Sequence, residues 1–231
     1  MNQKLSRRLS ACLDELSSFS KIADIGTDHA YLPCQAIASG KIDLAIAIDV
    51  GDGPLAQAKQ AISDYGLADK IELRKGSGLK PLKVGEVEGI NIAGMGGKLI
   101  SQLLLDSLTV AKSMKILVFQ PQGGEVILRK MLCEHSFAIT NEQLLEEDGI
   151  IYTIITAMPD QLNQKKISYK DLVFGPILIK NVKDELFIKK WHQEIVTIDK
   201  IIVKIPEGNE RKKAFKLKKE LIQEVLASVV S

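Results

Sequence analysis

Ile22, Ala23 and Ile25 form a short apolar run that stops at Gly26 and passes directly into Thr27, Asp28 and His29. Such a run, halted by a glycine and followed by polar residues, reads as a buried strand turning sharply into a helix. In an α/β protein that turn is where a nucleotide-like ligand sits. The stretch Ala23-Asp24-Ile25-Gly26-Thr27-Asp28-His29-Ala30-Tyr31-Leu32-Pro33 thus limits the fold more than any other.

Charge limits the ligand. A dinucleotide needs G-x-G-x-x-G, so that bare backbone and a helix N-terminus can approach the pyrophosphate. Here the loop has one glycine and carries a carboxylate, Asp28, where phosphate would lie. Two like charges about 4 Å apart repel by roughly 1 kcal/mol in water and by more in a shielded cleft. S-adenosylmethionine, with no phosphate, a sulfonium and an amino group, suits Asp28 better. A role for Asp28 as a helix cap is the competing reading.

The rest of the chain repeats the strand-helix pattern. Residues 2–18 place Leu5, Leu9, Cys12, Leu13 and Leu16 at helical spacing, flanked by Arg7 and Arg8. Leu32 to Ser39 continues as a helix stopped by Gly40, and Leu44 to Val50 reads as a second parallel strand. Its Asp49 lies 25 residues past Asp24, close to the spacing at which an acid meets ribose hydroxyls. Pro54 to Tyr65 reads as a helix with the face Ala56, Ala58, Ala61 and Ile62, and Ile71 to Arg74 as a third strand. Gly76-Ser77-Gly78 follows, placed to close over an adenine or to act as a plain turn. Gly89 to Ala93 reads as a fourth strand, and Gly94-Met95-Gly96-Gly97 after it lets backbone approach a ligand. A helix over Leu99 to Leu105, a strand over Met114 to Phe119 and a helix over Glu125 to His135 complete the alternation. Ala138 to Leu145 and Ile150 to Ala157, joined through Glu146-Glu147-Asp148-Gly149, read as an antiparallel hairpin. The expected fold is therefore α/β, a seven-stranded sheet of the Rossmann-like class I methyltransferase kind and not of the dehydrogenase kind.

A boundary at Met158-Pro159-Asp160, with a polar linker to Lys166, divides residues 1–160 from residues 161–231. The second part places Ile188, Trp191, Ile195, Ile198, Ile202 and Ile205 at alternating spacings of 3 and 4, then turns at Pro206 to Asn209 into a helix carrying Leu217, Leu221, Val225 and Val229. This is an α-helical hairpin, a short coiled coil whose seam is too brief to favour dimerisation, so a monomer is expected. Charge is divided too: residues 1–160 hold 16 Lys+Arg against 20 Asp+Glu, whereas residues 161–231 hold 15 against 9. The expected outer surface of the hairpin carries Lys189, Lys190, Lys200, Lys204, Arg211, Lys212, Lys213, Lys216, Lys218 and Lys219. A basic appendage beside an acidic domain suits a polyanion held by its backbone, RNA or DNA.

No run approaches the roughly 18 apolar residues of a membrane span, and the first residues lack a signal-peptide core, so the cytoplasm is expected. Cys12, Cys34 and Cys133, without C-x-x-C, and three histidines form no zinc pattern, so no metal is expected and the thiols read as reduced.

The chain resembles the bacterial tRNA (adenine-22-N1)-methyltransferases. The resemblance rests on Leu5-Ser6-Arg7-Arg8-Leu9, the block Ala23 to Pro33, Ile92 to Gly97, Gln120-Pro121, Glu146 to Gly149 leading to Tyr152, Phe174-Gly175-Pro176 and Lys190-Trp191. It implies transfer of methyl from S-adenosyl-L-methionine to adenine N1 of tRNA by a Rossmann-like domain, with the helical hairpin helping to hold the tRNA. Asp24, Gly26, Asp28 and His29 are then expected at the methionine end of the cofactor, Asp49 at its ribose, and Gly76, Ser77 and Gly78 at its adenine. Ala93, Gly94, Met95 and Gly96 would line the transfer centre, with Asp28, His29 or Tyr31 at the target base. Arg7 and Arg8 are candidates for a phosphate, and Lys189, Lys190, Arg211, Lys212, Lys213 and Lys216 for the tRNA backbone. The family has an acid where this chain has Ser77, which should weaken cofactor binding by about 1 kcal/mol. Strand four lacks the Asn/Asp-Pro-Pro-aromatic motif of enzymes that methylate exocyclic amines, which favours a ring nitrogen. A methyltransferase for another RNA or a small molecule, and a cofactor-binding RNA module without catalysis, remain as alternatives.

Overall fold

The computed structural model describes residues 5–160 and 167–230; the expected linker to Lys166 and residues 2–4 of the first expected helix lie outside them. In chain order the elements are α1 (Arg7–Leu16), β1 (Lys21–Ile25), α2 (Tyr31–Ala38), β2 (Leu44–Asp49), α3 (Asp52–Asp64), β3 (Ile71–Lys75), β4 (Gly89–Met95), α4 (Gly97–Leu105), α5 (Leu108–Ala111), β5 (Ile116–Pro121), α6 (Glu125–Glu134), β6 (Phe137–Glu147), β7 (Ile150–Pro159), α7 (Tyr169–Phe174), a 3-10 turn (Leu178–Asn181), α8 (Glu185–Ile202) and α9 (Glu210–Val230).

The seven strands form one sheet in the order β3-β2-β1-β4-β5-β7-β6. The first five are parallel, and β7 enters antiparallel between β5 and β6. Chain order reverses direction between β1 and β4, so a crevice opens there at the carboxyl ends of the strands. The β6–β7 turn is the Asp148-Gly149 pair alone, both residues at positive φ (51° and 77°), as a two-residue hairpin turn requires. Glu146 and Glu147, expected in the turn, are paired strand residues.

Both faces of the sheet are covered, and the strand pattern shows how. In β5, Leu117 and Phe119 pack with Ile100 and Leu104 of α4 and Leu128 and Leu132 of α6. Ile116 and Val118 point the other way, to Leu13 and Leu16 of α1, in a core that continues through Leu32 of α2 to Ile62 of α3. Alternate residues of one continuous apolar run thereby enter two cores.

A third core holds the C-terminal helices together. Phe174, Phe187 and Trp191 meet in it, with Phe174 and Trp191 edge to face at 4.5 Å. Ile198, Ile222 and Val225 continue it along the helical hairpin, and Val126 and Leu144 join it to the sheet domain. Two expectations are corrected here. Leu217 is 63% exposed: the inward face of α9 runs from Phe215 to Leu221, Ile222, Val225 and Leu226, and Leu217 stands about 200° round the helix from Phe215. Ile205 falls past the end of α8. The basic surface is also reduced. Lys218 and Lys219 bridge to Glu194 and Asp199 of the facing helix, each at 2.6 Å, with side chains about three-quarters buried.

Candidate active site

A cavity of about 470 Å3 opens at the crevice between β1 and β4. The turn after β1 shapes its first wall. Gly26 and Thr27 both donate their N–H groups to the Ile48 carbonyl, at 2.8 and 3.0 Å, which folds the chain over the end of β2. Asp28 and Ala30 are then held at φ of 49° and 53°, a conformation rare for residues with side chains. His29 stacks on Tyr31 with ring centroids 5.0 Å apart, and its Nε2 lies 3.6 Å from Asp28 Oδ2. Across the cavity a bulge at Ala93/Met95 turns the end of β4, and a Cβ built on Gly26 would fall 2.3 Å from Met95 Cε. Met95 Cε is the flexible end of its side chain and could give way, so what calls for glycine here is the φ of 74° at Gly26, which strains any residue with a side chain.

The floor is Asp24, 5% exposed. Its carboxylate accepts from Thr27 Oγ1 and from Asn91 Nδ2, both at 2.7 Å. Burial raises its pKa; the hydrogen bonds from Asn91 and Thr27 oppose this, and the charge of Asp49 adds to it. Asp49 is fixed by Gly51 N–H at 2.9 Å and faces the Asp28 N–H at 3.4 Å. Asn91 Oδ1 is buried without a partner among the described residues. The lining carries three carboxylates, Asp24, Asp28 and Asp49, against the guanidinium of Arg8. Such a site suits a ligand with a cationic, hydrogen-donating end.

Asp24, Gly26, Asp28, His29, Tyr31, Asp49, Ala93, Gly94 and Met95, singled out from sequence, all line this cavity. Arg8 joins them, donating to Gln120 Oε1 at 2.9 Å with its guanidinium 5.8 Å from the Tyr152 ring. Arg7 does not: it is exposed and donates to the Glu146 carbonyl beside the β6–β7 turn. Gly76, Ser77 and Gly78 stand outside the lining, tied to it by Gly76 N–H donating to the Asp49 carbonyl at 2.9 Å. Gly96 precedes α4 and is exposed. The residue missed was Asn91; its signal was a carboxamide between Ile90 and Ile92 in an otherwise apolar central strand.

On the hairpin, Lys190 is corrected from the open surface to a half-buried position. Its ammonium reaches Glu125 at 3.0 Å and Thr153 Oγ1 at 2.6 Å, because α8 packs against the start of α6 at that point. Burial is the largest single influence and works to raise the Glu125 carboxyl; the Lys190 charge, its own backbone N–H, the hydrogen bond from Lys190 and the Arg129 charge together outweigh it, leaving the group below its usual value. Lys189 pairs with Glu146, Lys212 and Lys216 with Glu207, and Lys213 with Glu210, while Arg211 lies over Phe215. Among the described residues no group of three or more His, Cys, Asp or Glu is placed to hold a metal ion, and no helix is long and apolar enough to cross a membrane.

This strand order, with a carboxylate-lined cavity at the switch point and no phosphate-gripping glycine loop, defines a Rossmann-like methyltransferase. A family model described as tRNA (adenine(22)-N(1))-methyltransferase matches residues 22–227. The curated tRNA (adenine(22)-N(1))-methyltransferase of Bacillus subtilis is 35% identical over 239 residues, covering 100% of this chain and 99% of its own. The chain belongs to the tRNA (adenine(22)-N(1))-methyltransferase family. The crystal structure of the Bacillus subtilis m1A22 tRNA methyltransferase superposes with a TM-score of 0.86 at 34% identity, covering 96% of this chain and 99% of that one. A Streptococcus pneumoniae protein described as a tRNA (m1A22) methyltransferase, in complex with S-adenosyl-L-methionine, gives 0.87 at 34% identity, covering 96% and 100%.

Proposed function

We propose that this chain methylates N1 of adenine 22 in tRNA with S-adenosyl-L-methionine as donor, acting as a cytoplasmic monomer. The observation that carries the reading is the excess of carboxylates in a cavity at the β1/β4 switch point. Residues 1–160 form the catalytic part and residues 161–231 the arm that helps to hold tRNA.

Asp24, Asn91 and the Gly26 to His29 turn would hold the amino-acid end of the cofactor. Asp49 would accept from its ribose, and the Gly76 to Gly78 loop, through Ser77, would meet its adenine. The bound cofactor supplies an electrophilic methyl on a sulfonium. Adenine N1 already has a lone pair and its N1-methyl product is a stable cation, so no side chain has to remove a proton first. The chain's task is to hold base and methyl in line and to exclude water. N1 lies on the Watson–Crick edge, so the base must leave its pair, and the stacked His29–Tyr31 rings offer a surface to receive it. Arg8 would meet the adjoining phosphate. On the arm, Lys200, Lys204 and Arg211 at the hairpin tip have no ion-pair partner among the described residues, and Lys213 and Lys216 have only exposed ones, cheaply exchanged for phosphate.

The test is transfer of labelled methyl to unmodified tRNA transcripts bearing adenine or guanine at position 22. Label on the adenine transcript alone is expected. Label on neither, with cofactor binding intact, would move the reading to a binding module or another RNA.

A further inference from the structure

Two glutamines flank Pro121 at the end of β5, and only one of them is spent inside the protein. Gln120 is fully buried: its side chain accepts from Arg8 at 2.9 Å and donates to the Pro121 carbonyl at 3.0 Å. Gln122 is exposed and lines the cavity at the β1/β4 crevice, and its carboxamide has no hydrogen-bond partner among the described residues. Its backbone is fixed, since Gln122 N–H donates to the Met95 carbonyl at 2.8 Å. Its side chain turns toward the bend in β4: a Cβ built on Gly94 would stand 4.0 Å from Gln122 Nε2 and 3.9 Å from Arg8 Nη1. A free carboxamide therefore stands beside the Ala93 to Met95 wall, where methyl transfer is expected.

The pose that methyl transfer requires limits what such a group can read. N1 of the base must face the methyl, so no side chain can cover it. The edge left to grip is N6 with N7, a donor beside an acceptor, and a primary carboxamide matches it with one hydrogen bond each way. The other polar groups of the lining do not. Asp28 and Asp49 only accept, and Arg8 only donates. Asp24, Thr27 and Asn91 are buried and hydrogen-bonded to one another. His29 carries its donor and acceptor on ring nitrogens that point apart, and Tyr31 has a single hydroxyl. Guanine in the same pose presents acceptors at both O6 and N7, so the carboxamide would keep one bond and set two oxygens against each other.

We propose that Gln122 reads the N6/N7 edge of the target adenine, holding the base with N1 toward the donor methyl and selecting it over guanine. The inference rests on the tRNA methyltransferase reading and adds to it the residue that recognises the base.

The test uses the full chain and tRNA carrying at position 22 either adenine or 7-deazaadenine, which has C–H in place of N7. Methyl transfer is measured for wild type and Gln122→Ala. The side chain is exposed, and a melting curve checks that the variant is folded. Gln122→Ala is expected to lower kcat/KM for the adenine tRNA about 30-fold, the loss of a bidentate base contact, with cofactor KM held. The deaza ring also alters N1 itself, but equally for both proteins. The adenine to 7-deazaadenine ratio of kcat/KM should therefore be about fivefold higher in wild type than in the variant, the value of one neutral hydrogen bond. Equal ratios in the two proteins would overturn the inference and leave the enzyme assignment standing, and so would a variant impaired only through a raised cofactor KM. Failure of the wild type to methylate the adenine tRNA would overturn the enzyme reading and this inference with it.

Discussion

The carboxylates at the β1/β4 crevice and at the joint of the C-terminal arm are treated in opposite ways. At the β1/β4 crevice Asp24, Asp28 and Asp49 have no lysine or arginine ion-pair partner among the described residues, and Asp24 is held above its ordinary pKa by burial. At the joint of the arm, Glu125, Glu142 and Glu194 each face a cation at 3.0 Å or less, and Glu125 is held below its ordinary value. Charge left unmatched in a folded protein costs stability and is kept where a ligand will match it; charge matched internally fixes one element on another. The first region should therefore answer to mutation in activity and the second in stability.

The largest effect is expected at the Arg129–Glu142 pair, with side chains 2% and 0% exposed. Arg129 also donates to the carbonyls of Leu172 and Val173, and Glu142 accepts from Ile177 N–H, so the pair ties α6 and β6 to the start of the arm. Arg129→Met leaves a buried carboxylate alone and should cost about 3–5 kcal/mol, read by denaturant unfolding. A loss below 1 kcal/mol would break the comparison. Next comes Asp28→Asn, which keeps a residue tolerant of the left-handed backbone at φ 49° and removes only the charge. Turnover should fall about 100-fold with the melting temperature unchanged, the loss expected for one charged contact. Wild-type turnover in this variant would remove Asp28 from the site.

How far this contrast could be foreseen depends on how local each feature is. The strands, the switch-point loop and the carboxylates were legible because apolar runs and the residues ending them lie together in sequence. The arm's charges were not: nine residues from Arg211 to Lys219 hold six cations and read as an open basic face. The structure folds Lys218 and Lys219 onto Glu194 and Asp199, some 20 residues away on the facing helix. Lys190 was misplaced for the same reason, since its partners Glu125 and Thr153 belong to other elements. Asn91 was overlooked because its strand reads as apolar, and only pairing of Asp24 with Asn91 in the β1/β4 register sets the two side by side.

Two carboxyl groups shifted in opposite directions allow the contrast to be read by pH. Asp24→Asn should raise cofactor KM about 10-fold, the value of one charge-assisted hydrogen bond, at little or no cost in stability. In the wild type, cofactor KM should climb as pH falls through the raised pKa of Asp24, because the protonated acid no longer attracts a cation, and the variant should lack that limb. Equal pH profiles would take Asp24 out of cofactor binding.

Glu125 carries the smallest effect and the opposite sign. Its folded pKa is depressed, so its contribution to stability is present above the usual carboxylate range and is lost as pH falls through the folded value. Glu125→Gln should lower stability at neutral pH by about 1 kcal/mol, since the side chain is 23% exposed and the Lys190 ammonium keeps Thr153 Oγ1 as a partner. The gap between wild type and variant should then close on acidification, measured by urea unfolding at a series of pH values. A gap that stays constant with pH would mean that the Glu125 charge does not hold Lys190 and the arm in place. The joint would then depend on Arg129, Glu142 and the aromatic packing around Trp191.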